Sequence, residues 1–78
     1  MKVEVIMPKL GFSERDLVLS SWLKAEGDEI KAGEAIAEVE TDKITNNIEV
    51  ESDGTIEKLC VNEGDEVPIG TVIAIINA

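Results

Sequence analysis

No histidine occurs among the 78 residues. The chain therefore has no imidazole for a catalytic triad and no histidine ligand for a metal ion. Its one cysteine, Cys60, can neither close an internal disulfide nor build a zinc site by itself. A buried place in a strand, as a small hydrophobe, is expected for it. Cations are scarce: seven Lys and Arg stand against seventeen Asp and Glu, a formal net charge of -10. With no basic patch to neutralise phosphates, neither nucleic acid nor an anionic membrane surface is an expected partner. Long apolar runs are missing as well, the longest, Val72 to Ile76, being far too short to span a bilayer. No charged-then-apolar segment opens the chain, so a cytoplasmic protein is expected, a mature mitochondrial form being the alternative. The seventeen carboxylates invite a two-carboxylate hydrolase, but they are spread along every strand and turn, as on a solvated face.

Ile and Val dominate what is present, eighteen residues against five Leu, with Phe12 and Trp22 the two aromatics. β-Branched side chains are stiff and suit a pleated, half-buried surface, which points to one small all-β domain over residues 1–78. A chain this short must make its core efficiently. The segment "WLKAEGDEIKAGEAIAEVE", starting at Trp22, lies over "LCVNEGDEVPIGTVIAIIN", starting at Leu59, at an offset of 37 residues. Glu26-Gly27-Asp28-Glu29 falls on Glu63-Gly64-Asp65-Glu66, and Gly33 falls on Gly70. The two halves thus share one layout: strand, tight turn, short link, glycine, strand. Gly27 and Gly64 are expected at positive φ, where a Cβ would be strained. Pro68 stands in the link, where no ladder donor is lost. One repeat is too small to bury its own apolar face, so the two must pack on each other. The expected fold is a flattened barrel or sandwich of two four-stranded sheets, about eight short strands, with quasi-twofold symmetry. The strands that finish the two halves, 35–41 and 71–76, are expected at opposite ends or edges of the domain.

Around Lys43 a two-residue period holds on both sides: Ala35, Ala37, Val39 and Thr41 share a face, as do Ile44, Asn46, Ile48 and Val50. Ile36 is the exception, and Asp42-Lys43 is the turn. Three uses of Lys43 compete. It can balance charge at the surface, act as a catalytic amine, or serve as a point of covalent attachment. Amine catalysis needs the neutral form, whereas the neighbouring carboxylates of Glu40 and Asp42 favour the ammonium. That use fails on sign, and the other two remain. The first half also carries "FSERDL" (12–17), an insertion its counterpart lacks. A segment not needed to close the fold is expected to meet a partner, with Phe12 as apolar contact and Glu14, Arg15 and Asp16 as charged rim; a plain solvent loop is the alternative.

"MPKLG" (7–11), "WLKAEGDEIKAGEAIAEVE" (22–40), "ETDKI" (40–44) and "SDGTIEKLCVNEGDEV" (52–67) resemble, in combination, the lipoyl domain of 2-oxo-acid dehydrogenase complexes. The resemblance covers essentially the whole chain. It implies that Lys43 carries lipoate in amide linkage. The resembled family also places glycines sixteen residues before and eleven after the lysine, the positions of Gly27 and Gly54. Glu40, Thr41, Asp42 and Ile44 are the implied surroundings read by a lipoate ligase or lipoyl transferase. The implied role is a swinging-arm acyl carrier, non-catalytic by itself, in a dihydrolipoyl acyltransferase, of which this would be the N-terminal domain. Its implied partners are a thiamine-diphosphate 2-oxo-acid decarboxylase, an acyltransferase core with coenzyme A, and dihydrolipoyl dehydrogenase, the isolated domain being monomeric. Biotinyl carriers resemble this chain too, but they flank their lysine with methionines where Asp42 and Ile44 stand. The glycine-cleavage carrier lacks the Thr-Asp-Lys context. The chain departs from the lipoyl pattern at Ile44, where alanine is common, and at Asp16-Leu17, where Glu-Gly is usual.

Overall fold

The computed structural model describes residues 1–9, 17–40 and 45–78. In chain order the strands are β1 (Lys2–Ile6), β2 (Leu17–Trp22), β3 (Glu29–Ile30), β4 (Ala35–Glu40), β5 (Thr45–Glu49), β6 (Gly54–Leu59), β7 (Glu66–Val67) and β8 (Val72–Asn77). They form two four-stranded antiparallel sheets, β1-β8-β6-β3 and β5-β4-β2-β7. The all-β, two-sheet expectation holds.

The repeat is built into this topology. β2, β3 and β4 recur as β6, β7 and β8 at an offset of 37 residues, and β1 recurs as β5 at an offset of 43. The extra six residues are the length of the insertion read at 12–17, with one correction: Leu17 is fully buried and opens β2. Leu17 pairs with Val67, and the alternating burial of Leu17, Val18 and Leu19 carries the strand through it. Each sheet draws two strands from each half, so neither half can close a sheet alone.

The repeated Glu-Gly-Asp-Glu works the same way twice. Gly27 and Gly64 sit at φ 93° and 90°, and their amides donate to the carbonyls of Ile56 and Leu19, each at 2.7 Å. Glu26 accepts from the amide of Leu59 at 2.9 Å, and Glu63 accepts from the amide of Trp22 at 2.8 Å. Each carboxylate thus satisfies a strand-end amide of the opposite half. Asp28 and Asp65 accept from the amides of Ala25 and Asn62 within their own turns, at 2.8 and 2.9 Å. Glu29 and Glu66 then open β3 and β7.

Ile36 breaks the alternation because of a β-bulge. The β4–β5 register runs from Ala35↔Glu49 to Ala37↔Ile48, skipping Ile36, and the β1–β8 register skips Ile73 in the same way. An extra residue on one strand lets two successive side chains face inward. Ile36-Ala37 and Ile73-Ala74 are accordingly all buried. The core they join is aliphatic, with Met7, Leu17, Leu19, Val39, Ile56 and Val67 among its most buried members.

Cys60 departs from expectation. It is exposed, immediately after β6, with its amide donating to the carbonyl of Ile73 at 2.8 Å. Its counterpart Leu23 is also exposed, and its amide likewise bonds the carbonyl of Ile36 at 2.8 Å. Both stand where the chain has left its sheet, so the backbone is held and the side chain is not covered.

The strands that finish the halves are not at edges. β4 and β8 are interior strands, one in each sheet. Their far ends do diverge. Asn77 of β8 pairs with Lys2 and Thr55, and the termini bond each other: Met1 donates its amine to the carbonyl of Ala78 at 3.0 Å, and Ala78 returns its amide to Met1 at 2.7 Å. Gly54, beside them, pairs with Ile30, whose link to Gly33 and Val50 delivers the chain to the start of β4. Glu40, at the other end of β4, pairs with Val18, which also pairs with Glu66 of β7, and β7 leads to the start of β8. The end of β4 is therefore remote from the termini by about the length of a strand.

Candidate functional site

The site grows out of the β4–β5 hairpin. Glu38↔Asn47, Val39↔Asn46 and Glu40↔Thr45 are the last pairs before the connection. Val39 faces the core and is fully buried, so Glu38 and Glu40 on either side of it face out, as do Thr45 and Asn47. This alternation locks the register, since a one-residue slip would bury glutamates and expose the core. β4 is held on its other side as well. Ser20 Oγ donates to the Glu38 carbonyl at 3.1 Å and Ser21 Oγ to the Glu38 carboxylate at 3.5 Å. The strand ends that flank the connection are thus fixed to an interior strand.

Four residues join Glu40 to Thr45, and these are Thr41, Asp42, Lys43 and Ile44. All four lie outside the described residues, as do Phe12, Glu14, Arg15 and Asp16. Of the expected recognition residues, Glu40 stands exposed at the strand end. Gly27 and Gly54 are not brought to it. Gly27 makes the β2–β3 turn against β6, and Gly54 lies against the end of β8, where a Cβ would come within 2.7 Å of the Asn77 carbonyl oxygen. The fixed spacing of these glycines from Lys43 reflects backbone requirements of the fold.

Charge is divided unevenly between the sheets. None of the four strands β5, β4, β2 and β7 contains Lys or Arg, whereas Lys2 and Lys58 lie on β1 and β6. The outward row Thr45, Glu40, Val18, Glu66 crosses the whole hairpin-bearing sheet with two carboxylates and no cation. The connection that contains Lys43 in sequence thus joins two strands of a sheet whose strands carry carboxylates and no cation. At the link before β4, the Lys24 ammonium at 3.1 Å and the Lys31 amide at 2.7 Å hold the Glu34 carboxyl below its usual value. The reciprocal Glu26 and Glu63 bonds were not anticipated from the sequence, although their signal, the repeated "EGDE", was in view.

The chain matches the family model described as "Biotin-requiring enzyme", of biotin and lipoyl attachment domains, over residues 3–76. It is 46% identical over 77 residues to the pyruvate dehydrogenase E1 component subunit beta of Rhizobium meliloti, covering 97% of this chain and 17% of that protein. It is 40% identical over 77 residues to the dihydrolipoyllysine-residue acetyltransferase component of the pyruvate dehydrogenase complex of Rickettsia bellii, covering 97% of this chain and 18% of that one. The chain thus spans under a fifth of the length of these relatives. Among solved structures, the lipoyl domain of the 2-oxoglutarate dehydrogenase complex from Azotobacter vinelandii superposes with a TM-score of 0.76 at 30% identity, covering 95% of this chain and 96% of that domain. With family model, relatives and a full-length structural match in agreement, the chain belongs to the biotinyl/lipoyl carrier family, as a lipoyl domain.

Proposed function

We propose that Lys43 is the lipoyl-bearing residue and that the domain serves as the swinging-arm acyl carrier of a 2-oxo-acid dehydrogenase complex. The observation that carries this is the β4–β5 hairpin, which fixes Glu40 and Thr45 as exposed strand ends at the pole of the domain away from the termini. An attached group needs no cavity at such a place, only a point of presentation clear of any tether. Lys43 would hold lipoate by an amide at Nζ, and the dithiolane would supply the disulfide and thioester chemistry for carrying an acyl group between a thiamine-diphosphate decarboxylase and coenzyme A, with dihydrolipoyl dehydrogenase as its oxidising partner.

The chain's own part is positional. Ser20, Ser21 and the β4–β5 register hold the hairpin base, and tethering makes each encounter effectively intramolecular. Glu40, Glu38 and Glu66 keep the surrounding surface charged and solvated, which disfavours collapse of an apolar arm onto the protein. Glu40, Thr41, Asp42 and Ile44 are the residues a ligase or lipoyl transferase would read, and 12–16 the loop a decarboxylase would meet. The host would be a longer acyltransferase with this as its N-terminal domain; the Rickettsia bellii relative supports the acyltransferase host. The Rhizobium meliloti relative favours a second host, a decarboxylase β subunit. The size of the native lipoylated polypeptide separates the two. Such a role would place the domain in the cytoplasm, or in the mitochondrial matrix for a mature mitochondrial form.

Attachment is tested by intact mass after incubation with lipoate, ATP and a lipoate ligase. One lipoyl addition is expected, abolished by Lys43→Arg. Label on Lys2, Lys9, Lys24, Lys31 or Lys58 instead would overturn the assignment.

A further inference from the structure

β1 and β5 are the sheet edges that matter most. Each is five residues long and pairs on one side only, β1 with β8 and β5 with β4, whereas the opposite edges β3 and β7 are two residues each. Two-residue edges give a stray strand little to pair with, but five-residue edges are long enough to accept one. β1 and β5 also face one another. Between them runs a groove of about 370 Å³, lined on one side by Val3, Glu4, Val5 and Ile6 and on the other by residues 47–52.

The backbone of β5 shows which groups are free. The Val50 amide donates to Glu34 at 3.0 Å and its carbonyl accepts from Gly33 at 2.8 Å, so Val50 turns both groups toward the β4 side. In an antiparallel ladder the orientation alternates. Ile48 and Asn46 therefore also bond toward β4, while Glu49, Asn47 and Thr45 present their N–H and C=O to the groove. The floor is apolar, with Val3 and Val5 half-buried and Ile48, Val50 and Ile76 buried beneath. The rim is of one sign. Glu4, Glu49 and Glu51 line it, and among the described residues no Lys or Arg does and neither ion pair, Lys2–Glu57 or Lys24–Glu34, involves these three.

We propose that this groove receives an extended, lysine- or arginine-bearing segment of a partner protein, added as a strand to the free edge of β5. Main-chain bonds from Thr45, Asn47 and Glu49 would supply the pairing. Alternate apolar side chains would cover Val3 and Val5, and alternate cations would meet Glu4, Glu49 and Glu51. A strand so placed runs to Thr45, beside the connection that bears Lys43, without needing that lysine or its modification.

The test uses the unmodified 78-residue chain, ¹⁵N-labelled, and an acetylated and amidated Val-Lys repeat peptide of six residues. Saturable shifts confined to the amides of Thr45, Asn47, Glu49, Val3 and Val5 are expected. Glu49→Lys with Glu51→Lys should weaken binding about tenfold, and so should N-methylation of alternate peptide residues, which removes the strand's donors while keeping its charge. Shifts scattered over all carboxylate-bearing elements, equal affinity of the N-methylated peptide, or no saturation at millimolar peptide would each overturn the proposal. Because no lipoate is involved, the outcome is independent of the assignment of Lys43.

Discussion

Gly54 offers a direct test of how tightly the symmetric halves are stitched together. A Cβ built there falls 2.7 Å from the Asn77 carbonyl oxygen, 2.9 Å from Ile76 Cγ2 and 3.1 Å from Ala78 Cα. Ordinary contact begins at 3.4 Å, so against the carbonyl the shortfall is 0.7 Å. Two of the three obstacles are backbone and cannot rotate away. Gly54→Ala must push β6 from β8, weakening the Thr55↔Asn77 pair and the Ala78–Met1 bond. Overpacking of this kind costs about 1–3 kcal/mol, and a weakened hydrogen bond adds up to about 1. At roughly 4–8 °C per kcal/mol for a domain of this size, a fall in Tm of about 4–30 °C is expected. Gly27 is the contrasting case, since nothing lies within 4 Å of its Cβ but φ is +93°. There the cost is backbone strain, about 1–3 kcal/mol for Val and less for Asn, which tolerates positive φ. Gly64→Val should cost about as much as Gly27→Val, because the two turns share nearly the same φ and equivalent hydrogen bonds, and the double variant should lose the sum of the two. Urea melts of the six variants, Ala, Asn and Val at 54 and 27, should therefore rank Asn above Val at 27 but below Ala at 54. The reasoning fails if Gly54→Ala is neutral or if both sites rank alike.

Further outcomes follow from the site and its surroundings. Glu34 should titrate below the usual glutamate value by NMR, and Lys24→Met should return it toward that value. Since its carboxyl is depressed in the fold, the associated stability is present above the ordinary glutamate value and is lost as pH falls through the folded one, and salt should shrink the effect. Cys60 should react stoichiometrically with a thiol reagent in native buffer; protection lifted only by denaturant would contradict its exposure. Replacing residues 12–16 with Gly and Ser should leave lipoylation unchanged and slow reductive acylation by the cognate decarboxylase several-fold, and equal acylation rates would assign that loop to solvent.

The repeat made the fold legible. Glycine spacing and the doubled "EGDE" gave the turn positions, the two halves and the positive φ values, because these depend on local backbone chemistry. The bulges did not show. Ile36 looked like an error in an alternating pattern, since sequence period carries no sign of a skipped pairing partner. Cys60 misled for a related reason: apolar character predicts burial only while the strand stays in its sheet, and the chain has already left it there. Leu17 was grouped with the insertion because its boundary depends on which strand it joins. The edge positions assigned to β4 and β8 failed because strand order is set by interleaving of the halves, which no local signal encodes. At the hairpin, the period on both sides marked the strands correctly as far as Glu40 and from Thr45.

Quasi-symmetry also explains why one end of the domain can specialise. Under the offsets of 37 and 43, the pair Glu40↔Thr45 is the counterpart of Asn77↔Lys2. At one pole the paired strands are continuous through four residues, and at the other they end as termini bonded to each other. A chain of two equivalent halves must leave one such pair unconnected, and that opening is where any further polypeptide has to enter and leave. The connected pole is then the place where a residue can be presented without the tether in its way. The sheets have diverged accordingly. Ile75 and Lys58 have Glu38 and Ser21 as counterparts, so the hairpin-bearing sheet has exchanged an outward apolar and a cationic position for a carboxylate and the hydroxyl that grips it. The stability of the twofold needs none of these exchanges, since the core positions inside them are alike. They change the charge that the connected pole shows to solvent.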